Sequence, residues 1–163
     1  TFATLSPIPG LVRWVQRNPQ ELAHIFTASD WKRLAVAGID GPESLQLASL
    51  LEGTPEGTQA WSSDPQLALA LREPLLRLAA RYLMHATRDD KPADAVARFH
   101  LGNGARIERL NWLADTSKRG RAQSWGIMVN YLYDPDRIDT NLEAFAAGGR
   151  IDASSTVKRQ AKR

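Results

Sequence analysis

The chain has 163 residues, 43% of them hydrophobic and 24% charged, with a formal net charge of +3 and no cysteine. That length predicts one domain around one core, and the absence of thiols excludes disulfides, thiolate nucleophiles and thiolate metal sites. No apolar run approaches the ~20 residues that span a bilayer, so no membrane partner is expected, and so modest a positive charge favours anionic partners without demanding nucleic acid.

The first residues, Phe2 to Leu5, are apolar and β-compatible, and the chain opens on Thr1 inside that run, so upstream sequence is expected. Ser6 ends the strand. Pro7 and Pro9 then hold the backbone extended while forbidding regular ladder pairing. Leu11, Trp14 and Val15 have helical spacing, and Asn18-Pro19 stops that helix. Ser29-Asp30 predicts a cap for a helix through Ala37, with Gly38 as its stop. Another helix is predicted over residues 43–51, followed by a loop over 53–57.

The strongest helical pattern covers residues 65–87. Leu67, Leu71, Leu75 and Leu78 form one stripe and Leu69, Leu76 and Leu83 a second, an arc wide enough to pack against several neighbours. Pro74 lies inside it and predicts a kink or a break, with a new helix starting there. Asp89-Asp90-Lys91-Pro92 reads as a connector.

Beyond it the period changes to two: Val96, Arg98 and His100 on one side, Ala97, Phe99 and Leu101 on the other. With Asn103-Gly104 as a two-residue type I′ turn, this predicts a hairpin in which His100 lies opposite Ile107 and shares a face with Arg109 and Asn111. Asp115, Thr116 or Ser117 then caps a helix with Trp125, Met128, Val129 and Leu132 on its apolar face, closed by Pro135. Two short helices follow, near residues 137–147 and 154–161. The expected fold is helix-rich α+β with a small antiparallel sheet.

Few residues carry chemistry on their own evidence. Ser6, between a strand end and a stiff loop, reads either as a turn serine or as a hydroxyl that meets substrate. No glycine-flanked nucleophile elbow surrounds it. His100 is the best placed of three histidines, His24 and His85 reading as surface or interface residues. The three lack metal-ligand spacing and have no carboxylate cluster. Gly102-Asn103-Gly104 lacks the longer glycine pattern of a phosphate loop. Tyr131 and Tyr133 each offer a phenol. The five tryptophans are not interleaved with basic residues, which argues against a nucleic-acid platform. The basic tail, Lys158-Arg159-Lys162-Arg163, reads as a solvated helix end.

Three separated words, "LSPIPG", "ARFHLGNGARIERLNWLADTS" and "GIMVNYLYD", closely resemble malonyl-CoA decarboxylase. The resemblance covers residues 2–157 and is densest over 98–134. It implies that residues 1–163 are the back part of a C-terminal catalytic domain whose fold resembles the acyl-CoA-binding GNAT acetyltransferases. Here that fold would be partial, with a long helical insert, and with its upstream strands, its main CoA-binding segment and a front helical domain lying outside this sequence. The implied reaction takes malonyl-CoA to acetyl-CoA and CO2, in fatty-acid and malonate metabolism.

By motif match, the family's catalytic serine and histidine are Ser6 and His100, and the last tyrosine of its "NYxY" word, which approaches substrate, is Tyr133. The family uses neither metal nor biotin, and CoA enters only as part of the substrate. The resemblance further implies a homo-oligomer, dimeric or tetrameric, working with the upstream part of the same protein in a bacterial cytoplasm or, second, a mitochondrial matrix. Two alternatives stand beside it: a CoA-dependent acyltransferase, suggested by the fold, and a non-catalytic helical interaction module using the basic tail. The segment by itself is expected to lack part of the CoA site.

Overall fold

A computed structural model describes residues 1–39, 51 and 60–162 of the chain. It opens with β1 (Phe2–Ser6), and the Pro7–Gly10 linker leads into α1 (Leu11–Arg17). Asn18 and Pro19 end that helix, and Pro19 enters the first turn of α2 (Pro19–Ile25), where its missing N–H costs no helical hydrogen bond. The next helix, α3 (Ala28–Val36), is capped two residues earlier than predicted. Thr27 Oγ1 accepts from Asp30 N at 3.1 Å and Asp30 Oδ2 accepts from Thr27 N at 2.7 Å, a reciprocal capping box. Gly38 stops it in the left-handed region, at φ 98°. The helix predicted over 43–51, Leu51 apart, and the loop over 53–57 lie outside the described residues.

A 3-10 turn (Ala60–Ser63) precedes α4 (Pro65–His85), where Asp64 Oδ1 accepts from the amides of Gln66 and Leu67. The break predicted at Pro74 does not occur: one helix runs through it. Pro74 is buried along with Leu71, Leu75 and Leu78, and α4 packs on α2, on α3 and on the C-terminal helix. That burial outweighs one lost amide hydrogen bond. After it, β2 (Thr87–Arg88) and β3 (Lys91–Pro92) form a minimal hairpin across Asp89 and Asp90, whose φ angles are 54° and 62°. The turn with two positive φ values forms here and not at Asn103-Gly104.

Residues 95–102 overturn the predicted strand and, with it, the predicted hairpin. They form α5 (Ala95–Gly102), started by Asp94, whose Oδ1 accepts from Val96 N and Ala97 N, both at 3.1 Å. Ala97 and Leu101, four residues apart, are its buried pair, so the run has helical period as well as alternation. The cap starts the helix, and burial of Ala97 and Leu101 in the core holds it. His100 therefore lies on a helix, and Asn111, at the end of β4 (Arg106–Asn111), donates from Nδ2 to Asn130 Oδ1 at 2.9 Å.

The helix predicted to run through Leu132 is also corrected. Its start is α6 (Lys118–Ser124), capped by Ser117, and Trp125 at φ 52° followed by Gly126 at φ 82° ends it. Residues beyond form β5 (Met128–Tyr133), with Val129 and Tyr131 wholly buried at strand spacing. The two predicted short helices are present as α7 (Ile138–Gly148) and α8 (Ser155–Ala161), the latter capped by Ser154. β5 is the middle strand of a three-stranded sheet ordered β1-β5-β4, antiparallel to both neighbours. The fold is helix-rich α+β with two small antiparallel sheets, and one apolar core joins the sheet to α1, α4 and α5.

Candidate active site

Strand geometry places the first half of the site. Residues two apart on β1 share a face, so Thr4 and Ser6 point the same way and their hydroxyls lie 2.9 Å apart. Across the sheet, Thr4 pairs with Tyr131 and Phe2 with Tyr133, and the Phe2 and Tyr133 rings stack 4.7 Å apart. The second half comes from α5. His100, in its last turn, lies over the sheet with its ring stacked on buried Tyr131 at 4.5 Å and 19°. Its Nε2 is 3.4 Å from Ser6 Oγ and its Nδ1 is 2.6 Å from Tyr133 Oη.

Ser6, His100 and Tyr133 are thus brought together from a strand end, a helix and a second strand, while the predicted companions of His100 are not its hydrogen-bond partners: Asn111 bonds Asn130, and neither it nor Arg109 bonds the ring. Burial shapes the electrostatics. It lowers the imidazole pKa of His100 and raises the phenol pKa of Tyr133, leaving a neutral ring beside a protonated phenol near pH 7. A neutral imidazole has one donor and one acceptor nitrogen. With the phenol donating to Nδ1, Nε2 carries the ring proton and aims it toward Ser6.

A second group, which the sequence reading missed, positions these elements. Asp94 caps α5 with Oδ1, while Oδ2 accepts from Gly10 N at 3.3 Å, and the carboxylate also accepts from the Tyr82 hydroxyl. One carboxylate therefore ties the linker after Ser6 to the start of the helix that carries His100. Burial raises its pKa, against the pull of the hydrogen bonds it accepts, and pushes Tyr82 up as well. An N-cap Asp before Ala-Val-Ala was the available signal. Thr4 was legible too, as the same-face neighbour of Ser6. Among the described residues no three His, Asp or Glu side chains group as metal ligands.

Such an arrangement can hold and protonate a carbon or oxygen anion on a bound acyl group. The family model for the malonyl-CoA decarboxylase C-terminal domain matches residues 1–163. Mitochondrial malonyl-CoA decarboxylase from Rattus norvegicus is 37% identical, the match covering 96% of this chain and 32% of that protein. The enzyme from Anser anser anser is 36% identical, over 96% of this chain and 31% of its own length. Among solved structures, malonyl-CoA decarboxylase from Cupriavidus metallidurans superposes with a TM-score of 0.75 at 39% identity, covering 98% of this chain and 38% of that one. The Agrobacterium vitis protein gives 0.74 at 40% identity, with 99% and 36% covered. The chain spans about a third of the length of these curated relatives. None of these names favours the acyltransferase or the interaction-module alternative.

Proposed function

Because the chain belongs to the malonyl-CoA decarboxylase C-terminal domain family, we propose that it carries the reacting groups that convert malonyl-CoA to acetyl-CoA and CO2. One observation carries the assignment: the continuous contact from Ser6 Oγ through His100 to Tyr133 Oη. Decarboxylation breaks the bond between Cα and the carboxylate. Its electron pair passes into the thioester as an enolate, and a proton then goes to Cα. Most of the barrier is the charge developing on the thioester oxygen, where a positioned donor is worth about 2.7–4 kcal/mol.

In this reading Ser6 orients the departing carboxylate so that its bond to Cα stands perpendicular to the thioester plane. His100 Nε2–H supplies the proton to the carbanion while Nδ1 takes the phenol proton of Tyr133, so the ring stays neutral and the phenolate regains its proton from solvent, a contribution of roughly 10²–10⁴-fold. Tyr133 fixes the tautomer and lies against the substrate. Ser6→Ala and His100→Ala in the full-length protein each lower CO2 release from malonyl-CoA by at least ~100-fold with the fold retained by circular dichroism. Full activity in either variant removes that residue from the mechanism.

The finer parts of the reading follow from the family. The sheet is the back of a partial GNAT-like acyl-CoA-binding fold with α1–α4 as its helical insert. The outer edge of β1 has no strand partner among the described residues, which makes it the natural place for upstream strands of the same protein. CoA enters only as part of the substrate, and neither metal nor biotin is needed: chelator and avidin leave turnover unchanged. The full-length protein assembles as a homo-dimer or tetramer, and binds neither nucleic acid nor membrane. Solved relatives are bacterial and curated ones mitochondrial, so its place is a bacterial cytoplasm or, second, a mitochondrial matrix.

A further inference from the structure

Behind the Gly10–Asp94 contact, on α1, the end of α4 and β2, lies an open cleft of about 550 Å³. Arg13 and Arg17, four apart and so on one face of α1, line it together with Arg88 from β2. All three are exposed, and none forms an ion pair with a described residue. Asp94 is the one carboxylate among the lining residues, and it is buried with both oxygens committed to Val96, Ala97, Gly10 and Tyr82. The cleft therefore presents three guanidinium groups that no described carboxylate pairs with. Guanidinium forks match phosphate oxygens two at a time. Beside them Trp14 and Tyr82 form an aromatic wall, their rings tilted 41° and 5.3 Å apart. Phosphates next to an aromatic surface describe a nucleotide better than a lone inorganic anion.

The position adds to this. Gly10 and Asp94 line the cleft, and they belong to the linker that follows Ser6 and to the cap of the helix that carries His100. We propose that this cleft binds the phosphates of a nucleotide, and that the nucleotide is the adenosine 3′-phosphate 5′-diphosphate end of the CoA thioester. The second half of the statement rests on the decarboxylase reading; the first does not.

Adenosine 3′,5′-bisphosphate, which carries no thioester, tests the cleft alone. Calorimetric titration of the full-length protein is expected to show binding that weakens with salt, and an Arg13→Gln/Arg17→Gln/Arg88→Gln variant binds at least ~10-fold more weakly. No binding to the parent, or equal affinity in the variant, overturns the site. Kinetics separate the source of the nucleotide. The variant raises KM for malonyl-CoA at least ~10-fold with kcat within about twofold, while malonyl-pantetheine, lacking the nucleotide, is turned over alike by parent and variant. An unchanged KM for malonyl-CoA beside weakened bisphosphate binding overturns the substrate-arm half and leaves a site for a free nucleotide. A parent that decarboxylates neither substrate sinks the proposed activity, and the bisphosphate titration still decides the cleft.

Discussion

His100 is held by burial and by stacking, and each makes a separate prediction. Burial lowers its pKa below the ordinary value of about 6.5, so the neutral ring persists further into acid than a free histidine would. With the neutral ring as the working form, kcat/KM is flat above pH ~7 and falls only as pH drops through the lowered pKa. A rate that instead falls as pH rises through that range makes the imidazolium the proton donor and removes the Nε2–H tautomer from the mechanism. The same shift has a stability sign: the unfolded chain takes up the proton first, so this contribution is complete above pH ~6.5 and is lost on acidification. Stacking is the second force. Tyr131 presents its ring to His100, and its hydroxyl is buried without a hydrogen-bond partner among the described residues. Tyr131→Phe keeps the stack and removes the orphaned group, so stability measured by urea unfolding rises or holds, by up to about 1–3 kcal/mol. A clear loss of stability means that the hydroxyl has a partner.

Between elements, polar caps do more than start helices. Asp94 begins α5 and also anchors the linker after Ser6, so Asp94→Ala loses a cap and frees the two halves of the site from each other. The loss of the cap is worth about 0.5–2 kcal/mol in unfolding, and kcat falls further than that stability change explains. Gly10 tests the same joint from the other side. A Cβ there collides with Tyr82 Oη, so Gly10→Ala displaces the phenol that bonds Asp94 and reproduces the Asp94→Ala kinetics in milder form. Kinetics like the parent's in both variants dissolve the link. Asp30 is the structural counterpart: fully buried, it completes the cap of α3 and bonds Arg33 and Arg77, joining α3 to α4 far from the site. The caps were readable because Asp, Ser and Thr before an apolar-periodic run have few other uses. Ser117 is one of the three residues the pattern offered, and Ser154, expected to begin the last helix, caps it; Thr27 was not foreseen, because Asp30 serves as the returning partner of a capping box three positions on.

For the molecule as a whole, the sheet is the assembly that brings residues 2–6 against residues 128–133, and its outer β1 edge makes the upstream proposal testable. Amides of β1 that do not bond β5 exchange at least ~10-fold faster in the 163-residue chain than in the full-length protein; equal rates leave no upstream strand on that edge. The sequence by itself determined the composition class, the ends of most helices, the serine at a strand end and the three words that carry the family. Those are local matters, settled by side chains within a few residues of one another. It did not determine which element His100 or Tyr133 occupies. Residues 96–101 and 128–132 fit both a period of two and a period near 3.6, and runs of six and five residues are too short to separate them. Only the tertiary structure decides, because β5 becomes a strand by having β1 and β4 on either side, and α5 becomes a helix by packing Ala97 and Leu101 into the core beneath them.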